Sequence, residues 1–360
     1  MTTDKSASSA AASSAVATKQ PVSPIANLFP GYFAIVMATG IIAIGASQQN
    51  LGLLANILFG IAALAFLVLF IMTVLRLLLY PKLLFSDLTH HSLGFSFLTL
   101  VAAINVLGGC AAAIQKWWTV AEFCWGVGLL LLVVLIYSSL FGVILRSEKP
   151  PMGTGINGTW FLMTVSLESI AVLGGTLLTH TGPNQGIELV AASAFTLGIV
   201  LYFIVVTMLF QRWSFLVVNP EDAQPPSWIA AGAVAITVLA GSTLLGTAEL
   251  VPRFERLASF LEGMITLAWA TSTFWLPVMV GIGVWRHLVR RVPFSYHPSY
   301  WAMVFPLGMY GVATYKMISV LDLDSLSVVP QAALIVALLA WVAVFTGMLR
   351  QPFRRKSRSS

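Results

Sequence analysis

The segment from Leu51 to Leu79 reads LGLLANILFGIAALAFLVLFIMTVLRLLL, and it decides the class of fold. It is long enough to cross the hydrocarbon of a bilayer as a helix, which takes about 20 apolar residues. A strand of an outer-membrane β-barrel would instead alternate apolar and polar residues over about ten positions. This segment does not alternate, so it predicts a transmembrane helix in an all-α membrane protein.

The rest of the chain has the same character. Of its 360 residues, 58% are hydrophobic and 9% are charged, far below the roughly 25% of charged residues in soluble domains. We expect one transport domain over 27–350, between a disordered N-terminal tail (1–26) and a basic C-terminal tail (351–360). Hydropathy predicts ten membrane-spanning helices, at about 29–47, 51–80, 88–109, 117–145, 155–180, 187–217, 227–248, 255–289, 299–320 and 328–350.

The positive charges are divided unequally between the two sides of this topology. Of the 19 lysines and arginines, 15 fall on one side, and the remaining four are Lys116, Arg253, Arg256 and Lys316. Cytoplasmic loops carry the excess of positive charge in membrane proteins. The division predicts a multi-pass protein of the cell membrane with both termini in the cytoplasm. Because it accounts for the net charge of +6, we expect no nucleic-acid partner.

The odd-numbered predicted helices differ from the even-numbered ones, because they carry glycine, proline and small polar residues through their middles. Small residues let helix backbones approach closely, and broken helices are tolerated where they line a cavity. We therefore expect the odd helices to line a central path and the even helices to face lipid. The alternative is that each glycine serves helix packing alone. The predicted lining residues are Thr39, Gly40, Thr164, Ser166, Ser169, Gly241, Pro306 and Gly308.

Two charged residues fall inside predicted helices. Glu168 lies at the middle of the fifth helix, where an ionised group costs about 2.5–3.5 kcal/mol and commonly marks a proton or ion path. Its alternative role is a neutral, hydrogen-bonded carboxyl that joins two helices. Lys316 lies about two turns past the middle of the ninth helix, where it either pairs with Glu168, attracts an anion, or snorkels to the outer interface.

Residues 29–40 (FPGYFAIVMATG), 158–174 (GTWFLMTVSLESIAVLG) and 301–310 (WAMVFPLGMY) together resemble the tellurite-resistance/dicarboxylate transporter family. That family includes malic acid transporters, sulfite exporters and slow anion channels. The resemblance implies five helical hairpins in a quasi-five-fold arrangement around a central pore, assembled as a homotrimer. It also implies a phenylalanine gate at Phe305, for which the alternative is a ring packed between helices.

The expected function is transport of a small anion across the bilayer. A carrier for a C4-dicarboxylate such as malate or succinate is favoured, with Glu168 as its proton site, because an acid in the pore of a simple channel repels anions. The alternative is a gated channel for chloride or nitrate. It remains because the odd helices contain no arginine pair that could clamp a divalent substrate. Efflux of tellurite or sulfite is a further alternative from the family.

Catalytic and metal-binding patterns are missing from the sequence. The five histidines form no HExxH motif or cluster, there is no GxSxG motif, and Cys110 and Cys124 lack ligand spacing. We therefore expect no enzymatic activity, no cofactor and no metal.

Overall fold

The computed structural model describes residues 23–220 and 224–356, and all regular secondary structure in this part of the chain is helical. Ten of its helices are long and apolar enough to cross a membrane. The predictions of an all-α fold and of ten spans are both confirmed. The spans are α1 (Pro30–Gln48), α2 (Gly52–Leu79), α3 (Gly94–Gln115), α4 (Trp118–Ile144), α5 (Gly158–Thr181), α6 (Gln185–Phe215), α7 (Pro225–Leu245), α8 (Ala258–Val289), α9 (Pro298–Leu321) and α10 (Asp324–Gln351).

One predicted boundary is wrong by a turn and a half. The third span was expected at 88–109, but α3 occupies Gly94–Gln115. The preceding residues form a separate short helix, Pro81–Leu88, and Lys116 ends α3 in the left-handed conformation with φ of 60°. Hydropathy averages over about 19 residues, so it merges a short helix with the span that follows it.

The spans divide into an inner and an outer set. Between 61% and 89% of the residues in the most apolar windows of the odd-numbered spans are buried, against 17% to 33% for the even-numbered spans. A helix that is apolar all round yet exposed on one side must meet lipid there. The inner odd helices and outer even helices are the division that the small-residue pattern predicts.

Contacts between the helices follow a cyclic order. Each inner helix packs against the outer helix that follows it in the chain. The inner helices also contact one another in the order α1, α3, α5, α7, α9, and α9 returns to α1. The five inner helices therefore enclose a common axis.

Every inner helix begins with a 3-10 turn, and these five turns contact one another in the same cyclic order. Each turn starts with proline or glycine, and an aromatic residue follows three positions later. Proline suits the first helical position because it has no N–H to satisfy there. The turns are Pro30–Phe33, Gly94–Phe97, Gly158–Phe161, Pro225–Trp228 and Pro298–Tyr300.

The predicted tails fall mainly outside the described residues. The N-terminal tail (1–26) is described only from residue 23. At the other end, the last helix continues as far as Lys356, so the first part of the predicted 351–360 tail is helical.

A buried arginine anchors the segment that leads into α1. Arg76, near the end of α2, is 4% exposed. Its guanidinium donates to the carbonyl oxygens of Ala26 (3.1 Å) and Leu28 (2.9 Å) and to Oδ2 of Asp87 (2.6 Å). The planar guanidinium group thus links residues 26–28, before α1, and the short helix Pro81–Leu88 to one point on α2.

We predict that Arg76→Ala destabilises the protein by about 3 kcal/mol. The replacement removes the hydrogen-bond donor of the partly buried Asp87 carboxylate and of the carbonyl groups of Ala26 and Leu28. The thermal midpoint of the purified protein in detergent measures the loss. Arg146→Ala is the matched control: that side chain is exposed and makes one hydrogen bond of 3.5 Å to the carbonyl of Thr89, so an effect below about 1 kcal/mol is expected. Equal effects of the two variants would contradict the anchoring role.

Candidate functional site

A cavity of about 30 Å³ lies on the central axis, at the level of the five 3-10 turns and the first turn of helix beyond them. All five inner helices contribute to its wall, so it is a feature of the ring and not of any one hairpin. Its lining residues are Phe29, Gly31, Ala34, Met37, Ser96, Thr99, Thr159, Leu162, Pro226, Ile229, Ser299, Ala302 and Phe305.

The polar groups of this lining are hydroxyls, and none of the lining residues within the described ranges carries a formal charge. Three of the four hydroxyls are hydrogen-bonded to protein: Thr99 to the carbonyl of Ser96, Thr159 to Oδ1 of Asn157, and Ser299 to Nδ1 of His297. The fourth, Oγ of Ser96, is buried and has no hydrogen-bond partner among the residues that the structure describes. A buried hydroxyl without a hydrogen-bond partner is costly.

Five helix N-termini surround the cavity. The backbone N–H groups of a first helical turn lack intrahelical partners, and the aligned peptide dipoles place about half a positive charge there. Asn157 and His297 cap the N-termini of α5 and α9, whereas the turns of α1, α3 and α7 have no side-chain cap. The cavity is therefore electropositive without a cationic side chain, which is the setting that helix N-termini offer to anions.

Phe305 is one of the deepest residues that line the cavity. Its ring is 2% exposed, and its position seven residues after Pro298 places it about 10 Å deeper than the start of α9. The next residue, Pro306, packs on Gly232 of α7, where an added Cβ would lie 2.7 Å from the proline ring. The structure thus brings the predicted gate residue to the central axis.

Most of the predicted lining residues face neighbouring helices instead of the cavity. Oγ1 of Thr39 accepts a hydrogen bond of 2.9 Å from the indole of Trp341 in α10. The hydroxyl of Thr164 donates to the carbonyl of Gly198 in α6, at 3.1 Å. Gly40 packs against Val106 of α3.

The remaining four also make contacts between or within helices. Ser169 accepts a hydrogen bond of 2.9 Å from the amide of Asn105 in α3. Ser166 donates to a carbonyl within its own helix. Gly241 packs against α6 and α8, and Gly308 packs against α1. The contacts of Gly40, Gly241 and Gly308 are of the kind that the alternative interpretation gives to the glycines, namely helix packing.

Glu168 is fully buried where α5, α6 and α7 meet, and it is absent from the cavity wall. Its Oε1 accepts a hydrogen bond of 3.0 Å from Thr237 of α7, whereas Oε2 has no hydrogen-bond partner in the described part of the chain. On the α6 side the carboxyl lies against Gly198, where a Cβ would come within 2.5 Å of Oε1. The carboxyl therefore joins three helices beside the path.

Lys316 lies half-buried near the end of α9, and its Nζ is next to Gly246, just past the end of α7. A helix C-terminus is a favourable place for a cation. Within the described residues, the structure shows no ion pair between Lys316 and Glu168. The structure therefore does not bring these two predicted pathway residues together.

Sequence analysis missed Ser96, Ser299 and Met37, all of which line the cavity. The signal that identifies them is the repeated start of the inner helices, Pro or Gly followed after three positions by Phe or Trp. Aligning the five starts places Met37 of α1 at the same register as Phe305 of α9. The repeat is short and allows two residue types at each of its positions, so it can be recognised only when the first residue of each helix is known.

Ten spanning helices, with five N-termini converging on an uncharged cavity, define a helical membrane protein with a central path suited to an anion. The family model described as "Voltage-dependent anion channel" (SLAC1) matches residues 27–349. The chain belongs to this family.

Known proteins of three organisms are similar to the chain. An uncharacterized membrane protein of Mycobacterium tuberculosis is 34% identical over 163 residues, 44% of this chain and 82% of the relative. An uncharacterized transporter of Methanocaldococcus jannaschii is 24% identical over 310 residues, 83% of this chain and 87% of the relative. A sulfite efflux pump of Trichophyton rubrum is 23% identical over 346 residues, covering 89% and 90%. The family and these relatives support transport of anions, in agreement with the expected class of function.

We predict that Gly158→Ala destabilises the ring of turns by about 1–3 kcal/mol, as overpacking does in well-packed cores. An added Cβ at Gly158 would lie 1.9 Å from the carbonyl oxygen of Pro226, and a backbone atom in a tight turn cannot move aside. The thermal midpoint in detergent reports the effect. In the control Gly60→Ala, no atom lies within 4 Å of the added Cβ, and helix propensity predicts a gain of up to about 1 kcal/mol.

We predict that the cap on α9 is lost in mild acid. Burial, and secondarily the charge of Arg286, lower the pKa of His297, so the neutral ring that accepts from the backbone N–H of Ser299 (3.2 Å) persists at neutral pH. The unfolded chain binds the proton more readily, so the stability from this group is present above about pH 6.5 and declines as the pH falls further.

The replacement His297→Asn supplies an N-cap acceptor that does not titrate. We expect the thermal midpoint of the wild-type protein to fall more steeply than that of the variant as the pH decreases below about 6.5. Parallel curves for the two proteins over this range would contradict the prediction.

Proposed function

We propose that the protein conducts small anions along the axis of the five inner helices, with Phe305 as the gate at the inner end of the central cavity. The observation that carries the proposal is the convergence of five helix N-termini on a cavity that has Phe305 in its lining. The cyclic contacts of the inner helices support the five-hairpin arrangement around a pore that the family resemblance implies.

The chemistry of the cavity favours an anion that is bound weakly. Peptide dipoles and the hydroxyl of Ser96 offer partial positive charge and a hydrogen-bond donor, and no cationic side chain in the described lining holds the ion tightly. Conduction requires binding that is favourable enough for entry and weak enough for release. A tightly binding arginine pair would oppose release.

The same features favour a small anion of low charge over a C4-dicarboxylate. A divalent substrate such as malate is commonly held by bidentate guanidinium groups, and the described lining contains none. The cavity of about 30 Å³ is also of the size of one or two water molecules. Because sulfite efflux pumps are among the relatives, sulfite in its singly protonated form is the first substrate to test, and malate is the competing one.

The position of Glu168 supports a structural role in this function. Its carboxyl contacts Thr237 and Gly198 and lies outside the cavity wall, so it joins α5 to α6 and α7. In the competing carrier, Glu168 would bind and release the coupled proton. The proposal further includes cytoplasmic termini, which the 15-to-4 distribution of basic residues favours, and a homotrimer with one pore in each subunit, which the resemblance implies.

We predict that Phe305→Ala increases the flux of sulfite into liposomes by about tenfold or more, because removal of the ring lets water and the hydrated ion pass. Flux is measured with purified protein under an imposed sulfite gradient at equal pH on both sides. Phe70→Ala is the control, since it removes the same ring from the exposed face of α2 and should leave the flux unchanged. An unchanged flux in Phe305→Ala would contradict the gate.

We predict that a proton gradient alone does not drive uptake and that Glu168→Gln keeps at least about half of the sulfite flux, since glutamine keeps the volume and an acceptor for Thr237. Parallel experiments with labelled malate test the competing carrier. Accumulation of malate against its gradient, driven by protons and abolished in Glu168→Gln, would replace the channel with a coupled carrier.

A further inference from the structure

Phe29 lies at the opposite end of the central cavity from Phe305. Each of the other lining residues lies within one of the inner helices, whereas Phe29 precedes the first residue of α1. Phe305 lies seven residues beyond the start of α9, so its backbone is about 10 Å deeper along the axis than the first residue of that helix. The cavity is therefore bounded by a phenylalanine at its mouth and another at its inner end.

The ring of Phe29 is partly exposed and forms part of the cavity wall. It lies over Gly31, another lining residue, so closely that an added Cβ there would be 2.5 Å from the ring. It also makes an edge contact with Tyr32, with ring centroids 6.1 Å apart. A larger residue than glycine at position 31 would displace the ring from this place.

The backbone of Phe29 is held on both sides. Arg76 binds the carbonyl groups of Ala26 and Leu28, immediately before it. Pro30 follows it and restricts it to the extended conformation in which it is found, with φ of −69° and ψ of 123°. Motion at this position is therefore confined to the side chain.

There is free space on the side of the ring that faces away from the mouth. Phe29 also lines a second cavity, of about 20 Å³, between α1, α2 and α3, together with Leu69 and Arg76. Phe29 is thus part of the wall of both the central cavity and a peripheral one.

We propose that Phe29 is a second constriction on the anion path, so that the central cavity is a chamber closed by one phenylalanine ring at each end. This inference rests on the proposed function, since it assigns the entrance of the same path. An ion that enters past Phe29 meets the five helix N-termini and the hydroxyl of Ser96 before it reaches Phe305. With both rings in place the chamber holds the ion out of contact with either side of the membrane.

The test is the reactivity of a thiol placed inside the chamber. Ser299→Cys introduces it between the two rings, and a negatively charged, membrane-impermeant methanethiosulfonate is added to right-side-out or inverted membrane vesicles. The parent protein, with Cys110 buried and Cys124 half-buried, gives the background rate. Size-exclusion chromatography confirms that each variant is folded.

We expect Phe29→Ala to raise the rate of modification from the N-terminal side of α1 by at least about tenfold, because the ring no longer blocks the mouth. Phe29→Tyr should keep the slow rate, and Phe70→Ala, on the exposed face of α2, should have no effect. Phe305→Ala should leave the rate from that side unchanged and admit the reagent from the other side.

Two results overturn the inference: a thiol that already reacts rapidly from the N-terminal side when Phe29 is intact, or a rate that Phe29→Ala leaves unchanged. In either case, entry of the reagent from the other side in Phe305→Ala would still support the anion path and its gate. If the reagent reaches the thiol from neither side in any variant, the central cavity is not the path and the proposed function fails with the inference.

Discussion

The five inner helices approach one another so closely that several of their contacts leave no space for a side chain. Gly158 of α5 lies against the backbone of Pro226 in α7, and Gly232 of α7 lies against Pro306 in α9. In a bilayer there is little hydrophobic force between helices, so close packing of this kind holds them together. The cavity at the N-terminal end depends on these contacts, because they set the distance between the five helix starts that surround it.

The positive potential at the cavity comes from helix N-termini and not from charged side chains in the described lining. Helix N-termini provide a positive potential that is fixed in the fold, needs no counter-ion and costs no desolvation of a cationic side chain. In the proposed path, aromatic rings control access of water and the anion is bound only weakly. This proposal fits a family described as voltage-dependent anion channels and relatives that include sulfite efflux pumps.

Hydrogen bonds of buried polar groups, some of them from outer helices, hold the five inner helices in place. Trp341 of α10 binds Thr39, Thr237 of α7 binds Glu168, and Arg76 of α2 fixes the approach to α1. Each contact links an inner helix to a neighbour at a point where an unpaired polar group in hydrocarbon would be expensive. Polar residues in the middle of a span therefore need not line the path, since partners on adjacent helices also satisfy them.

Sequence alone determined the all-α class, the ten spans and the division into inner and outer helices, because length, hydropathy and the placement of small residues are properties of each segment by itself. It also identified Phe305, through a family resemblance, as a residue that the structure brings to the axis. Only the tertiary structure decided which polar groups face the cavity. Thr39 and Thr164 are hydrogen-bonded to outer helices, whereas Ser96 and Ser299 are among the residues that line the cavity. The rotation of each helix about its own axis selects between these two outcomes, and that rotation is set by packing against neighbours that are distant in the chain.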